Sequence, residues 1–93
     1  MESKHDILMA ELEQLAHELD PWFDIDKVKD YSVYVWTKDS NEDNPDGENV
    51  FDIFHNTITF YPHTQSFDLK NEIMRIIHKI QDKLYELYLL RKG

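Results

Sequence analysis

Residues 49–61 read NVFDIFHNTITFY and predict a β-hairpin, from which the rest of the fold can be worked out. β-Branched and aromatic residues dominate both 49–54 and 57–61, as is typical of strands. His55 and Asn56 separate the two runs, and Asn tolerates the left-handed backbone conformation that a two-residue hairpin turn needs. The spacing therefore predicts two adjacent antiparallel strands.

The register of this hairpin follows from its turn. It pairs Phe54 with Thr57, Ile53 with Ile58, Asp52 with Thr59, Phe51 with Phe60, and Val50 with Tyr61. Because paired residues share a face of the sheet, the large apolar side chains at 51, 53, 58 and 60 fall together on one inner face. This agreement between pairing and hydrophobicity supports the register.

A third strand is predicted at 31–37, YSVYVWT, with residue 35 opposite residue 51. Val33 and Val35 then join the inner face. On the opposite face, called the outer face below, this register gives two rows: Trp36, Val50 and Tyr61, then Tyr34, Asp52 and Thr59. An uncovered aromatic patch of this kind is typical of a partner-binding surface. The alternative is that Trp22 and Phe23, or a helix, cover it.

Two helices are predicted to flank the strands. From Ser3 to Leu19, apolar residues recur every three or four positions, with Ser3 as the N-cap and Pro21 ending the helix near Asp20. After Pro62, a second apolar stripe predicts a long helix over 68–91 that Ser66 or Asp68 caps. Its apolar surface is wide enough either for a monomer core or for contact with a second subunit.

Residues 22–30 show no clean period and are interpreted as a connector whose aromatic side chains pack back onto the core. The sequence therefore predicts an α+β fold in the order αβββα. It consists of a helix, a three-stranded antiparallel meander and a long C-terminal helix, with both helices on one sheet face. The 93 residues are enough for a single domain.

Composition narrows the function classes. The formal net charge of −9 disfavours direct binding to nucleic acid phosphates and favours basic protein partners, although solubility alone would also explain it. No cysteine is present, which fits a reducing compartment such as the cytoplasm. No apolar run approaches the roughly 18 residues of a membrane span. We expect a cytoplasmic protein without a membrane contact.

The acid-rich stretch 37–49, TKDSNEDNPDGEN, partly matches a calcium-binding loop. Asp39, Asn41 and Asp43 occupy its first, third and fifth places. The match then fails, since Asn44 replaces the glycine and Val50 replaces the bidentate glutamate. A turn at 44–47 explains the stretch more simply, and no metal site is predicted there.

Catalytic motifs are missing as well. Gly47 is the only internal glycine, which excludes glycine-rich phosphate loops and the nucleophile elbow. Among the histidines, only His17 has a carboxylate at ligand-like spacing, from Glu13, and two ligands do not make a zinc site. We therefore expect a protein that is not an enzyme and carries no cofactor.

The first helix carries a row of carboxylates. Glu11 and Glu18, seven residues apart, repeat on one face about every 10 Å. Such a row beside the acid-rich loop could occupy a basic groove built for a phosphate backbone. The alternative is an ordinary solvated helix face.

In length, charge and predicted architecture, the chain resembles small, acidic, phage-encoded inhibitors, including some anti-CRISPR proteins with a helix and a three-stranded meander. The resemblance spans most of the chain and includes no diagnostic motif. It implies that carboxylates block a nucleic-acid-binding surface and that Trp36 or Tyr34 provides an apolar anchor. The carboxylates concerned are those of helix one, among them Glu11 and Glu18, and those of the loop: Asp39, Glu42, Asp43, Asp46 and Glu48.

Two functional hypotheses follow. The first is a non-enzymatic binding protein that engages a basic, nucleic-acid-binding protein as an inhibitor or nucleic acid mimic. The second is a self-associating structural or adaptor module that uses the outer face or the C-terminal helix, with acidity serving solubility.

Overall fold

The computed structural model describes residues 3–37, 49–61 and 70–93, which form one antiparallel sheet and two helices. In chain order, the elements are α1 (Lys4–His17), β1 (Asp24–Val28), β2 (Ser32–Trp36), β3 (Asn49–Phe54), β4 (Ile58–Phe60) and α2 (Asn71–Lys92). The strands lie side by side in the order β1-β2-β3-β4. The predicted α+β architecture is confirmed, but the described sheet has four strands where three were predicted.

The additional strand is β1, which lies within the predicted connector 22–30. It pairs with β2 through Ile25 and Val28, opposite Val35 and Val33, and the register shifts between these two pairs. This irregularity separates the paired apolar residues of β1 by three positions instead of two, so the period that marks a strand is lost. The aromatic part of the prediction is correct, because Phe23 is buried in the core.

The hairpin register is confirmed at all three pairs of β3 and β4, including Ile53 opposite Ile58. The pairing of β2 with β3 also agrees at residues 33 to 35. The predicted row of Trp36, Val50 and Tyr61 is correct only in part, since the backbone N–H of Tyr61 donates to the carbonyl of Val50 at 3.0 Å but Trp36 has another partner. A register shift after Val35 places Trp36 opposite Asn49, and Val50 is fully buried within the hydrophobic core.

Both helices pack on the inner face of the sheet. Ser3 caps α1 as predicted, since its side-chain oxygen accepts a hydrogen bond from the backbone N–H of Asp6 at 3.1 Å. The second helix begins at Asn71, after an N-cap at Lys70 that makes no side-chain capping bond, so the predicted caps at Ser66 and Asp68 are wrong; both residues lie outside the described ranges. In the described parts of the chain, neither helix combines the length and apolar content of a membrane span.

The two helices run antiparallel and are joined by side-chain ion pairs. Lys83 of α2 donates to Glu11 of α1 and also contacts Glu86 at 3.0 Å. The hydrogen bond to Glu11 raises the pKa of Lys83. At the far end of α2, Arg91 contacts Asp30 in the β1–β2 turn at 3.2 Å. These contacts fix the helical layer over one side of the sheet.

Candidate protein interface on the outer face

The outer face brings together aromatic and acidic side chains of neighbouring strands. Tyr34 lies directly opposite Asp52, and Trp36 lies opposite Asp24 in the other direction. Within the described residues, the helices pack on the other side of the sheet. The partly exposed aromatic side chains of this region are Tyr34, Trp36, Phe54 and Tyr61.

Asp52 is the centre of this surface. Its residue is only 5 % exposed, and its Oδ2 accepts a hydrogen bond from the Tyr61 hydroxyl at 2.8 Å. Its other oxygen, Oδ1, is buried and has no hydrogen-bond partner. The bond to Asp52 raises the pKa of Tyr61, and burial adds to the effect. A buried carboxylate with one unsatisfied oxygen is unfavourable in an isolated protein, which makes Asp52 a candidate for partner binding.

Three further buried side-chain atoms without a partner lie on the same two strands. They are the Oγ of Ser32, the indole Nε1 of Trp36 and the Oδ1 of Asn49. Asn49 is paired with Trp36, and Ser32 lies at the other end of β2 from Trp36. Because buried polar atoms in folded proteins are nearly always hydrogen-bonded, four unsatisfied atoms on adjacent strands make this region a candidate binding site.

The aromatic side chains support one another across the strands. Tyr34 and Phe54 make an edge-on contact with ring centroids 6.4 Å apart, and the ammonium of Lys29 lies 5.8 Å from the Tyr34 ring centroid. Trp22 and Phe23 do not cover this surface as the sequence alternative allowed. Phe23 packs on the inner-face residue Phe51 at 5.4 Å, and Trp22 lines a groove with residues of α2.

The acids of the first helix are placed elsewhere. Glu11 is paired with Lys83 of α2. Glu18 lines a groove that Arg75 and Lys79 of α2 also line. The predicted row of carboxylates therefore faces basic side chains of the same molecule, and the structure does not bring Glu11 or Glu18 to the outer face. Part of their charge is already balanced within the fold.

The predicted loop acids lie outside the described residues: Asp39, Glu42, Asp43, Asp46 and Glu48. The residues that flank their segment are described. Thr37 directly follows Trp36, and Asn49 is the strand partner of Trp36. The described residues on either side of the segment therefore lie at the end of β2 and β3 that contains Trp36, where Asp24 also lies.

Within the described residues, no group of three His, Asp or Glu side chains could hold a metal ion. His17, which the sequence places at ligand-like spacing from Glu13, contacts Asp20 at 3.0 Å. The chemistry that the outer face can perform is recognition of a cationic group by a carboxylate and aromatic rings.

Sequence reasoning proposed Tyr34 and Trp36 as binding residues but did not propose Asp52, Tyr61 or Asn49. The signal for Asp52 was present, since aspartate is disfavoured in strands and here stands between Phe51 and Ile53. Its burial and its unsatisfied oxygen depend on how neighbouring strands pack, which the local sequence does not determine.

No family model, curated protein or solved structure matches the chain. The residues of the outer face therefore carry the functional inference.

Proposed function

We propose that this chain is a non-enzymatic binding protein that engages a basic protein partner through its outer face. The observation that supports the proposal most strongly is the buried, half-satisfied carboxylate of Asp52 among partly exposed aromatic rings. A partner that supplies cationic donors would satisfy this oxygen and cover the rings at once. The same partner would be attracted by the acid-rich segment 38–48, whose flanking residues adjoin Trp36.

The two features have different roles in binding. Long-range attraction from the formal charge of −9 speeds the encounter with a basic surface. Aromatic anchors such as Trp36, which the partner covers in the complex, then slow its dissociation. We expect the partner to be a nucleic-acid-binding protein in the cytoplasm, because such a protein presents the basic surface that an acidic inhibitor would occupy. The resemblance to small acidic phage inhibitors is consistent with this role.

Association kinetics test the proposal. Basic proteins retained from a host-cell extract by the immobilised wild type, and not by a Trp36→Asp variant, would be purified and their binding rates measured. Raising salt from about 50 to about 500 mM should slow association at least about tenfold while affecting dissociation less. A nucleic acid ligand of the recovered partner should compete with the chain.

Two matched double variants test which acidic residues attract the basic partner. Asp43→Asn with Asp46→Asn removes two charges from the acid-rich segment 38–48, and Glu72→Gln with Asp82→Asn removes two from α2. The first pair should slow association more than the second, because the proposal assigns the attraction of the basic partner to the acid-rich segment. Equal effects, or an association rate that salt leaves unchanged, would contradict the proposal.

A second candidate, self-association through the C-terminal helix, is favoured by a separate observation. The last turns of α2 expose Tyr85 to 49 %, Leu89 to 48 % and Leu90 to 37 %. Phe60 of the edge strand β4 is also 46 % exposed, although it shares the inner face with the core. Exposed apolar side chains of this size are typical of contacts between subunits.

A further inference from the structure

The unsatisfied atoms of the outer face define the chemistry of their ligand. The carboxylate Oδ1 of Asp52 and the amide Oδ1 of Asn49 can only accept hydrogen bonds, and the Ser32 hydroxyl can also accept one. Only the Trp36 indole must donate. A ligand that fits this set must therefore be rich in hydrogen-bond donors, and a cationic donor is the best complement to a carboxylate.

The positions of these groups further restrict which ligands can fit the site. Asp52 lies in a cross-strand row between Tyr34 and Thr59, and the neighbouring row contains Trp36 and Asn49. The rings of Tyr34 and Trp36 are partly exposed, whereas Asp52 is 5 % exposed. A ligand group that reaches Asp52 would therefore lie beside these aromatic rings.

We propose that this site takes the guanidinium of an arginine side chain from the basic partner, an inference that rests on the proposed function. The guanidinium is planar, weakly hydrated and carries five N–H donors, so it can stack on an aromatic ring while it donates to Asp52. The hydroxyl of Tyr61 holds the other carboxylate oxygen and keeps the acid oriented. The strongly hydrated ammonium of lysine would lose more solvation for fewer bonds.

The test uses the whole protein and a defined probe, acetyl-arginine amide, followed by the indole N–H signals in nitrogen-proton NMR spectra. The chain has only two tryptophans, so Trp22, which lies beside α2, is an internal reference for Trp36. We expect a saturable shift at Trp36 and none at Trp22. Acetyl-citrulline amide, which has nearly the same shape without the charge, should bind at least about tenfold more weakly.

Two variants connect the probe to the carboxylate. Asp52→Asn keeps the shape of the side chain and should abolish the saturable shift, while Asp26→Asn removes an exposed charge of β1 and should change the affinity by no more than about twofold. Equal shifts from arginine and citrulline, an unchanged affinity in Asp52→Asn, or parallel shifts of both tryptophans would each overturn the proposal. Unchanged Trp22 signals in the variants would show that they remain folded.

The outcome separates this inference from the proposed function. If a recovered basic protein binds with the expected salt dependence but arginine leaves Trp36 unshifted, the arginine site is wrong and the binding function stands. If arginine saturates the site but no basic protein binds, the site is correct and the proposed function fails.

Discussion

Asp52 is the residue on which the candidate interface depends most. A carboxylate in the middle of a four-stranded sheet loses hydration, and here only one of its oxygens recovers a hydrogen bond. An apolar residue at this position would avoid that cost in the isolated fold. The arrangement is consistent with a residue that contributes to recognition at the expense of stability.

The hydrogen bond from Tyr61 to Asp52 can be tested by Tyr61→Phe. Removing the hydroxyl takes away the hydrogen-bond donor to Oδ2 of Asp52, whose Oδ1 already has none. We therefore expect the free energy of unfolding to fall by about 1–2 kcal/mol at neutral pH. Denaturant unfolding measures the change, and Tyr34→Phe is a control of the same size. Equal losses of unfolding free energy in both variants would show that the hydrogen bond from Tyr61 to Asp52 adds no stability of its own.

The pH dependence of the same bond has a definite sign. The folded protein holds the pKa of Tyr61 above its ordinary value of 10.0, and the hydroxyl donates only while it is neutral. The stabilisation is therefore fully present below pH 10.0 and is lost as the pH rises through the raised pKa. The stability difference between wild type and Tyr61→Phe should accordingly shrink at strongly alkaline pH.

At the scale of elements, regular patterns were predictable and irregular ones were not. The hairpin was predictable because the turn at 55–56 fixes which residues face each other, and one register puts the large apolar residues together. β1 was missed because its bulge separates Ile25 from Val28 by three positions. The second irregularity, after Val35, likewise placed Asn49 instead of Val50 opposite Trp36.

The candidate site was predictable only in part for a similar reason. Alternation along β2 was enough to place Tyr34 and Trp36 on one face. Whether Glu11 faces a partner or Lys83 depends on how α1 and α2 pack, and that contact joins residues far apart in the chain. Charge patterns in sequence identify acids but not their neighbours.

The inner face of the sheet extends beyond the helical layer at β4. Substitutions on this face can measure how much each position contributes to stability. Phe51 is fully buried, whereas its strand partner Phe60 is 46 % exposed. Phe51→Ala should lower the free energy of unfolding by about 3–5 kcal/mol, and Phe60→Ala by about 1 kcal/mol or less. Denaturant unfolding of both variants checks this. Similar losses would mean that β4 is covered in solution, as a subunit contact would cover it.

For the whole molecule, charge is distributed unevenly between the described parts. Residues 3–37 contain eight acids and three Lys or Arg, whereas 70–93 contain three acids and six Lys or Arg. The bases of α2 balance part of the acidity of α1, as the pair of Lys83 with Glu11 shows. The remaining negative charge of the first part belongs largely to the exposed acids of α1 and to β1.

Oligomeric state distinguishes the two candidate functions at this scale. We expect a monomer, because copies with a formal charge of −9 repel one another at low salt. Light scattering at two protein concentrations measures the mass of wild type and of Leu89→Asp, with Trp36→Asp as the corresponding change on the outer face. A doubled mass that only Leu89→Asp abolishes would favour self-association through α2 instead.

The pairing of Trp36 with Asn49 has a practical consequence for segment 38–48. As strand partners, Trp36 and Asn49 lie about 5 Å apart, so the sheet fixes the distance between these two residues. For a flexible connection, doubling the length costs only about 0.6 kcal/mol of closure free energy. The closure cost of lengthening the chain between Trp36 and Asn49 is therefore small beside the roughly 5–15 kcal/mol that stabilises a folded domain.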